Sequence, residues 1–276
     1  MKKINATFNR LTAYHHFLVF LIILTVLKIA NVFITDGVEA GIHFTKLGVG
    51  LIIISSILHM AFSKFFDQNK KYLHSLISTF LIILMLSHAD PEPVRGILVI
   101  VLLYVSKFFV KYKGRNIFNP VIFSIGVTTI VTLFIPFMDA PPLDFTGIDI
   151  RFPIFGMEIP LSILPIILAL IFNVKRIKKH ALALSFISTS LLLGFFIKAY
   201  MGNSISYVII ILFIGAAVII EPKTSPTKRN QQLIFGIVIA VLIAGFTMLG
   251  IPNSIAIGLL LGNIGYFTFQ NKLISR

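Results

Sequence analysis

Two short polar segments interrupt an otherwise apolar chain, and both hold residues whose types and spacing suit ligand chemistry. The first is Gly114-Arg115-Asn116-Ile117-Phe118-Asn119-Pro120. On a helical turn, side chains three apart share a face, so Asn116 and Asn119 are expected to stand together, with the cation of Arg115 beside them. Each amide is both donor and acceptor, the combination that meets the edge of a planar heterocycle. The same residues also read simply as a helix start. Pro120 suits a first turn, where its missing N–H is no loss, and Asn119 suits the cap before it.

The second segment, 221–236, runs Glu-Pro-Lys-Thr-Ser-Pro-Thr-Lys-Arg-Asn-Gln-Gln-Leu-Ile-Phe-Gly. Thr224, Ser225 and Thr227 supply hydroxyls, and Lys223, Lys228 and Arg229 supply cations. That set can hold a phosphate or a polar ring edge. The alternative is an ordinary basic loop, stiffened by Pro222 and Pro226. Glu221, at the end of an apolar run, is the candidate for ion binding or coupling.

Other chemistry finds little footing. With no cysteine, the chain has no disulfide, thiolate cluster ligand or nucleophilic thiol. No hydrolytic triad, carboxylate dyad, phosphate-binding loop or dinucleotide fingerprint is visible, so no catalytic residue or metal site is expected. His59, His74, His88 and His180 lie in or near apolar runs, at positions that do not force the facing pair a haem needs. Lys28, well inside an apolar run, either snorkels or faces the interior, and a packing role is expected of it.

The elements that must position these residues are membrane spans. Apolar residues make up 57% of the 276, charged ones 12%, and the mean hydropathy is +0.97. A soluble domain of this size cannot bury so much apolar surface. At about 20 apolar residues per crossing, spans are expected near 15–34, 47–63, 72–88, 95–110, 117–138, 157–173, 181–199, 204–220, 232–249 and 254–270.

Charge placement supports that count. With the N-terminus taken as cytoplasmic, the inside segments hold Lys2, Lys3 and Arg10, then Lys64, Lys70 and Lys71, then Lys107, Lys111, Lys113 and Arg115. Further inside segments hold Lys175, Arg176, Lys178 and Lys179, then Lys223, Lys228 and Arg229, then Lys272 and Arg276. The outside segments hold Lys46, Arg95, Arg151 and Lys198 alone. This alternation is the positive-inside pattern of a multi-pass plasma-membrane protein with both termini cytoplasmic. The net charge of +14 therefore reflects loops beside a bilayer, and nucleic acid is not an expected partner. The basic N-terminus precedes an apolar run with no small-residue cleavage site, and reads as a retained first helix.

The chain also echoes itself. Asp90-Pro91 leads into a span at Arg95, and Asn119-Pro120 opens the next. Glu221-Pro222 leads into a span at Gln232, and Pro252-Asn253 opens the last. Five helices per unit invert the second copy. The expected fold is thus an all-α polytopic membrane protein of about ten transmembrane helices. It is a single domain over 1–276, with inverted five-helix repeats over about 12–138 and 150–272. Such repeats hold ligands at their interface, beside broken helices.

These segments resemble the signatures of one family: the flavin-bearing integral membrane subunits of the Na+-translocating NADH:quinone oxidoreductase (Nqr) and of the Rnf electron-transport complex. Its Gly-Lys/Arg-Asn/His-x-x-Asn-Pro helix opening is matched by Gly114, Arg115, Asn116, Phe118, Asn119 and Pro120. Its Asp-Pro-x-Ser/Thr-Ala/Ser-Pro loop and Leu/Ile-Phe-Gly helix are matched by Glu221, Pro222, Thr224, Ser225 and Pro226, then Leu233, Ile234, Phe235 and Gly236. Asn263, after an apolar run, resembles the family's last span.

The resemblance covers about 90–138 and 217–270. It implies a flavin-binding subunit of a membrane oxidoreductase, with Asn116 and Asn119 at a noncovalent riboflavin or FMN. Redox subunits, flavoproteins or a quinone at the membrane faces are the implied partners. The family's Ser-Gly-Ala-Thr motif, whose Thr carries covalent FMN, is absent: the corresponding loop reads Asp144-Phe145-Thr146-Gly147-Ile148-Asp149, and Thr146 is outside the motif. Glu221 and Gln270 stand where the family has acids, Asp in the first case, so ion translocation is not implied. On the same scaffold, a transporter or channel for a flavin or another small polar solute is the alternative.

Overall fold

The computed structural model describes residues 12–66, 72–87, 93–112, 115–132, 134, 151–154, 157–197, 204–222 and 224–274. Among them are ten α-helices: α1 Ala13–Thr35, α2 Val38–Phe65, α3 Tyr72–Met85, α4 Pro93–Phe108, α5 Pro120–Thr132, α6 Ile163–Ile177, α7 His180–Phe196, α8 Ser204–Phe213, α9 Arg229–Met248 and α10 Ser254–Ile274. A π-helical turn, Ile214–Val218, continues α8. Two small hairpins complete the set. Strand β1 (Lys111–Tyr112) pairs antiparallel with β2 (Arg115–Asn116), and β3 (Arg151–Ile154) with β4 (Met157–Pro160).

Among the described residues three helices, α1, α2 and α9, are long and apolar enough to cross a membrane. Their outward faces carry the matching surface. Val19, Ile23 and Val26 on α1 are exposed, as are Ile234, Ile237, Val238 and Val241 on α9. Water-facing surfaces of monomeric proteins rarely carry apolar stripes of that extent. The all-α membrane class expected from composition is therefore what the helices show.

Several boundaries differ from the hydropathy reading. Helix α2 begins at Val38, so Lys46 lies inside a helix and not in a loop. Hydropathy marks where a helix meets the hydrocarbon, while its polar first turns continue beyond. The break from α1 is Gly37, whose φ of 92° lies in the region that only glycine enters freely. The expected span at 157–173 starts later, because Met157–Pro160 is strand β4. Pro160 is thereby kept out of a helix interior, and Pro165 falls in the first turn of α6, where proline is tolerated.

Packing follows a regular scheme. In the first half α1 contacts α2 and α3, α2 contacts α3 and α4, α3 contacts α4 and α5, and α4 contacts α5. In the second half α6 contacts α7 and α8, α7 contacts α8 and α9, and α9 contacts α10. The halves meet where α1 packs on α6 and α5 on α10. At the α7–α9 seam, a Cβ on Gly236 would fall 2.1 Å from Ser185 Oγ and 2.9 Å from both Leu182 O and Phe186 N. Gly236 thus lets the two backbones approach, the usual device of helices packed in lipid.

Lys28 is fully buried, and its Nζ donates to Leu84 O at 3.0 Å and Leu86 O at 2.6 Å. The ammonium stands where α3 ends, on carbonyls that helix geometry leaves without intrahelical donors, and it complements the negative helix end. The packing role expected of Lys28 is the one it has.

Candidate functional site

The two polar segments, far apart in sequence, line one cavity of about 810 Å³. Asn116, Asn119 and Pro120 come to it from the first half, and Glu221, Pro222 and Thr227 from the second. The first helix contributes Tyr14 and Phe17, α3 contributes His74 and Ser75, and α4 and β1 contribute Lys107 and Lys111. Ile77, Leu81, Ile177, Ala217 and Ile220 make the remaining wall largely apolar.

Asn116 and Asn119 reach this cavity differently from the helical turn that their spacing suggests. Asn116 lies in β2, opposite Lys111, and Arg115 lies opposite Tyr112. The helix begins only at Pro120. Asn116 is half-buried, on the hairpin rather than on a helix face shared with Asn119. The reason is local: the chain pairs here as two short antiparallel strands, Lys111 opposite Asn116 and Tyr112 opposite Arg115, before the helix begins.

Asn119 is the cap of α5. Its Oδ1 accepts from Val121 N at 2.9 Å and Ile122 N at 3.4 Å. Its Nδ2 donates to Val218 O at 3.2 Å. Val218 ends the π-helical turn, so its carbonyl is one of those a terminus leaves to outside donors. An amide has two N–H donors and one oxygen with two lone pairs. Asn119 thus has at most one N–H for a ligand, whereas Asn116 is the amide that faces the cavity with less committed geometry. Both readings of this segment, helix cap and ligand amide, describe the structure, but on different residues.

The second segment divides in the same way. Thr224 and Ser225 are buried and build the turn: Thr224 Oγ1 donates to Glu221 Oε2 at 3.2 Å, and Ser225 Oγ to Glu221 O at 2.6 Å. Neither lines the cavity. Thr227 and Glu221 do. Lys179, before α7, underpins this turn from below, its Nζ donating to Ser225 O at 3.0 Å and to Pro226 O. Burial pushes its ammonium pKa down from 10.5 to about 8. Gln232 bridges further, its Nε2 donating to Lys178 O and Thr227 O, each at 3.1 Å. Thr146 lies outside the described residues, as does Lys223.

Tyr14, His74, Lys107, Lys111 and Lys179 are the residues that sequence reasoning missed. The Tyr14 and His74 rings meet edge to face with centroids 4.4 Å apart, on helices far from either motif. Lys179 is one of four cations within the single basic stretch 175–179, and nothing in its spacing distinguishes it.

The cavity is of the size that takes a small cofactor. Aromatic and aliphatic walls suit a planar ring system, and amide, hydroxyl and carboxylate groups suit its polar edge. A flavin fits that donor set. No protein-family model matches the chain, and no curated protein matches it.

Proposed function

We propose that this chain is a flavin-binding subunit of a membrane electron-transport complex, similar to the Nqr and Rnf subunits that its two motifs resemble. It would span the plasma membrane ten times, as two inverted five-helix repeats with both termini in the cytoplasm. The observation that carries the proposal is the convergence of Asn116 and Glu221, from the two motifs, on one cavity. Supporting the repeat is the matched packing: five of the seven helix pairings in the first half have a counterpart in the second, and the halves touch through equivalent helices.

Within this proposal Asn116 orients the polar edge of the ring, with Glu221 and Thr227 facing it from the second half. Tyr14, Phe17 and the aliphatic wall cover its faces and exclude water. Asn119 ties the two halves of the site together through Val218, and Lys179 holds the turn of the second half. Bound flavin would supply the electron transfer itself, which the side chains present do not. A single flavin cannot reach across about 30 Å of hydrocarbon, so redox subunits or a quinone would complete the path at the membrane faces.

The test is spectroscopic. The protein purified in detergent should show the visible bands of oxidised flavin, and acid precipitation should release the flavin to the supernatant. Colourless protein that also fails to take up added flavin would overturn the proposal. Flavin retained on the precipitate would show covalent attachment. A cavity shared by both halves is also what a carrier on this scaffold would use for a small polar solute. Flavin uptake into vesicles holding the protein alone would favour that second reading.

A further inference from the structure

We propose that His59 is a proton relay for the cavity, exchanging a proton with the bound ring through the hydroxyl of Ser75; this rests on the flavin reading of the same site. His59 is buried in α2, a helix long and apolar enough to cross a membrane. An ionisable side chain is costly to keep in such a helix, and those retained mark ligand or proton pathways. His59 Nδ1 stands 2.9 Å from Ser75 Oγ, and Ser75, on α3, is part of the cavity wall. One hydrogen bond thus links a buried imidazole to the wall of the site.

The neighbouring groups fix that link in place. Ser55 Oγ, on α2, is 2.9 Å from Tyr104 OH on α4 and 2.5 Å from Thr79 Oγ1 on α3, and Tyr104 OH donates to Ser55 O at 2.7 Å. Thr79 Oγ1 donates in turn to Ser75 O at 2.9 Å. These hydroxyls tie the turn that carries Ser75 to the helices on either side. The Tyr72 and Tyr104 rings stand 5.4 Å and 6.5 Å from the His59 ring. Lys107 Nζ is 5.5 Å from the Tyr104 ring centroid and donates to His74 O, while the His74 ring meets Tyr14 of α1. On α2 itself Lys64 is exposed. Imidazole is the side chain that gains and loses a proton near neutral pH. His74 lies on the wall, whereas His59 lies behind it and reaches it through a hydroxyl, which donates and accepts at once.

The transfer balances at each atom. Bound flavin supplies a ring nitrogen that takes up a proton when the ring accepts two electrons from a reductant. The Ser75 O–H bond breaks toward that nitrogen as the N–H proton of protonated His59 moves onto the serine oxygen. Ser75 is left as it was and His59 becomes neutral, until solvent returns a proton to it. Oxidation runs the same steps in reverse. His59 acts through Ser75 and is a positioning residue for the proton, not a ligand to the ring.

Flavin-loaded protein in nanodiscs, mixed in stopped flow with reduced methyl viologen, tests the relay, because that donor gives electrons without releasing protons. The visible flavin band reports the electrons and a pH-indicator dye reports proton uptake. In the wild type uptake should keep pace with bleaching. His59→Gln still offers Ser75 a hydrogen-bond partner but carries no proton, and its uptake should lag by about a hundredfold, the low end for a positioned proton donor. Ser75→Ala should lag likewise, and Ser75→Thr, which keeps the hydroxyl, should restore the wild-type rate. That serine pair decides the matter if His59→Gln does not hold flavin. A second readout needs no flavin: the nitrogen-15 resonance of the His59 ring, assigned by its loss in His59→Gln, should move in Ser75→Ala and return in Ser75→Thr. Uptake equally fast in His59→Gln and Ser75→Ala, or a resonance unmoved by Ser75→Ala, would overturn the relay and leave the flavin reading standing. Failure of the wild type to bind flavin would overturn both.

Discussion

Asn119 and Val218 are 99 residues apart in the chain, and the amide Nδ2 of the first donates to the carbonyl of the second at 3.2 Å. One end of Asn119 caps α5 while the other donates to the carbonyl that ends the π-helical turn after α8. A single side chain thereby ties the opening of one half's last helix to the broken helix of the other half, at the wall of the shared cavity.

That tie separates two substitutions. Asn119→Ala removes both functions, and should lower stability by about 2 kcal/mol, the sum expected for a lost cap and a lost buried hydrogen bond. Asn119→Ser keeps a cap oxygen and loses the amide donor, and should cost less than Asn119→Ala. Far-UV circular dichroism during thermal unfolding in detergent reads the order directly. Equal midpoints for wild type and Asn119→Ala would contradict the structural role.

The turn below Glu221 carries a pH signature. The Lys179 ammonium has an ordinary value of 10.5 and a folded value near 8. Between those values the unfolded chain binds the extra proton, so stability rises with pH there from this group. Below pH 8 both states are protonated and the contribution is flat. Lys179→Met lacks this term. The unfolding midpoint of the wild type, relative to Lys179→Met, should therefore climb between pH 8 and 10 and stay level between pH 6 and 7.5. A difference that falls as pH rises would contradict it.

The ten-span topology is open to labelling because the chain has no cysteine of its own. In right-side-out cells, Glu92→Cys and Asp144→Cys should react with an impermeant maleimide from outside. Asn69→Cys and Lys228→Cys should react only after permeabilisation. The same sidedness at Asn69 and Glu92 would break the alternation and with it the inverted repeat.

How much of this was legible in the sequence varied with the physics involved. Helix number and approximate placement were, since twenty-residue apolar runs leave the chain few other options in lipid. Convergence of Asn119 and Glu221 was legible through the two motifs and the echo between halves. Asn116 was found but mis-set, because its register depends on a hairpin of two short strands and not on helical periodicity. Thr224 and Ser225 looked like ligand hydroxyls, since a side chain that bonds its own turn has the same identity as one that faces a pocket. Tyr14 and His74 could not be assigned to the site for a different reason. Their place on the wall is set by how α1 packs on α3, which no local pattern encodes.

The flavin content per chain of the wild type and of Asn116→Ala, purified side by side, bears most directly on the proposed site. Close to one noncovalent flavin is expected on the wild type, and a large loss on Asn116→Ala. Their unfolding midpoints in the flavin-stripped state should agree, because the side chain is half-buried and caps nothing. Full flavin content on a stably folded Asn116→Ala, or none on either protein, would contradict the site.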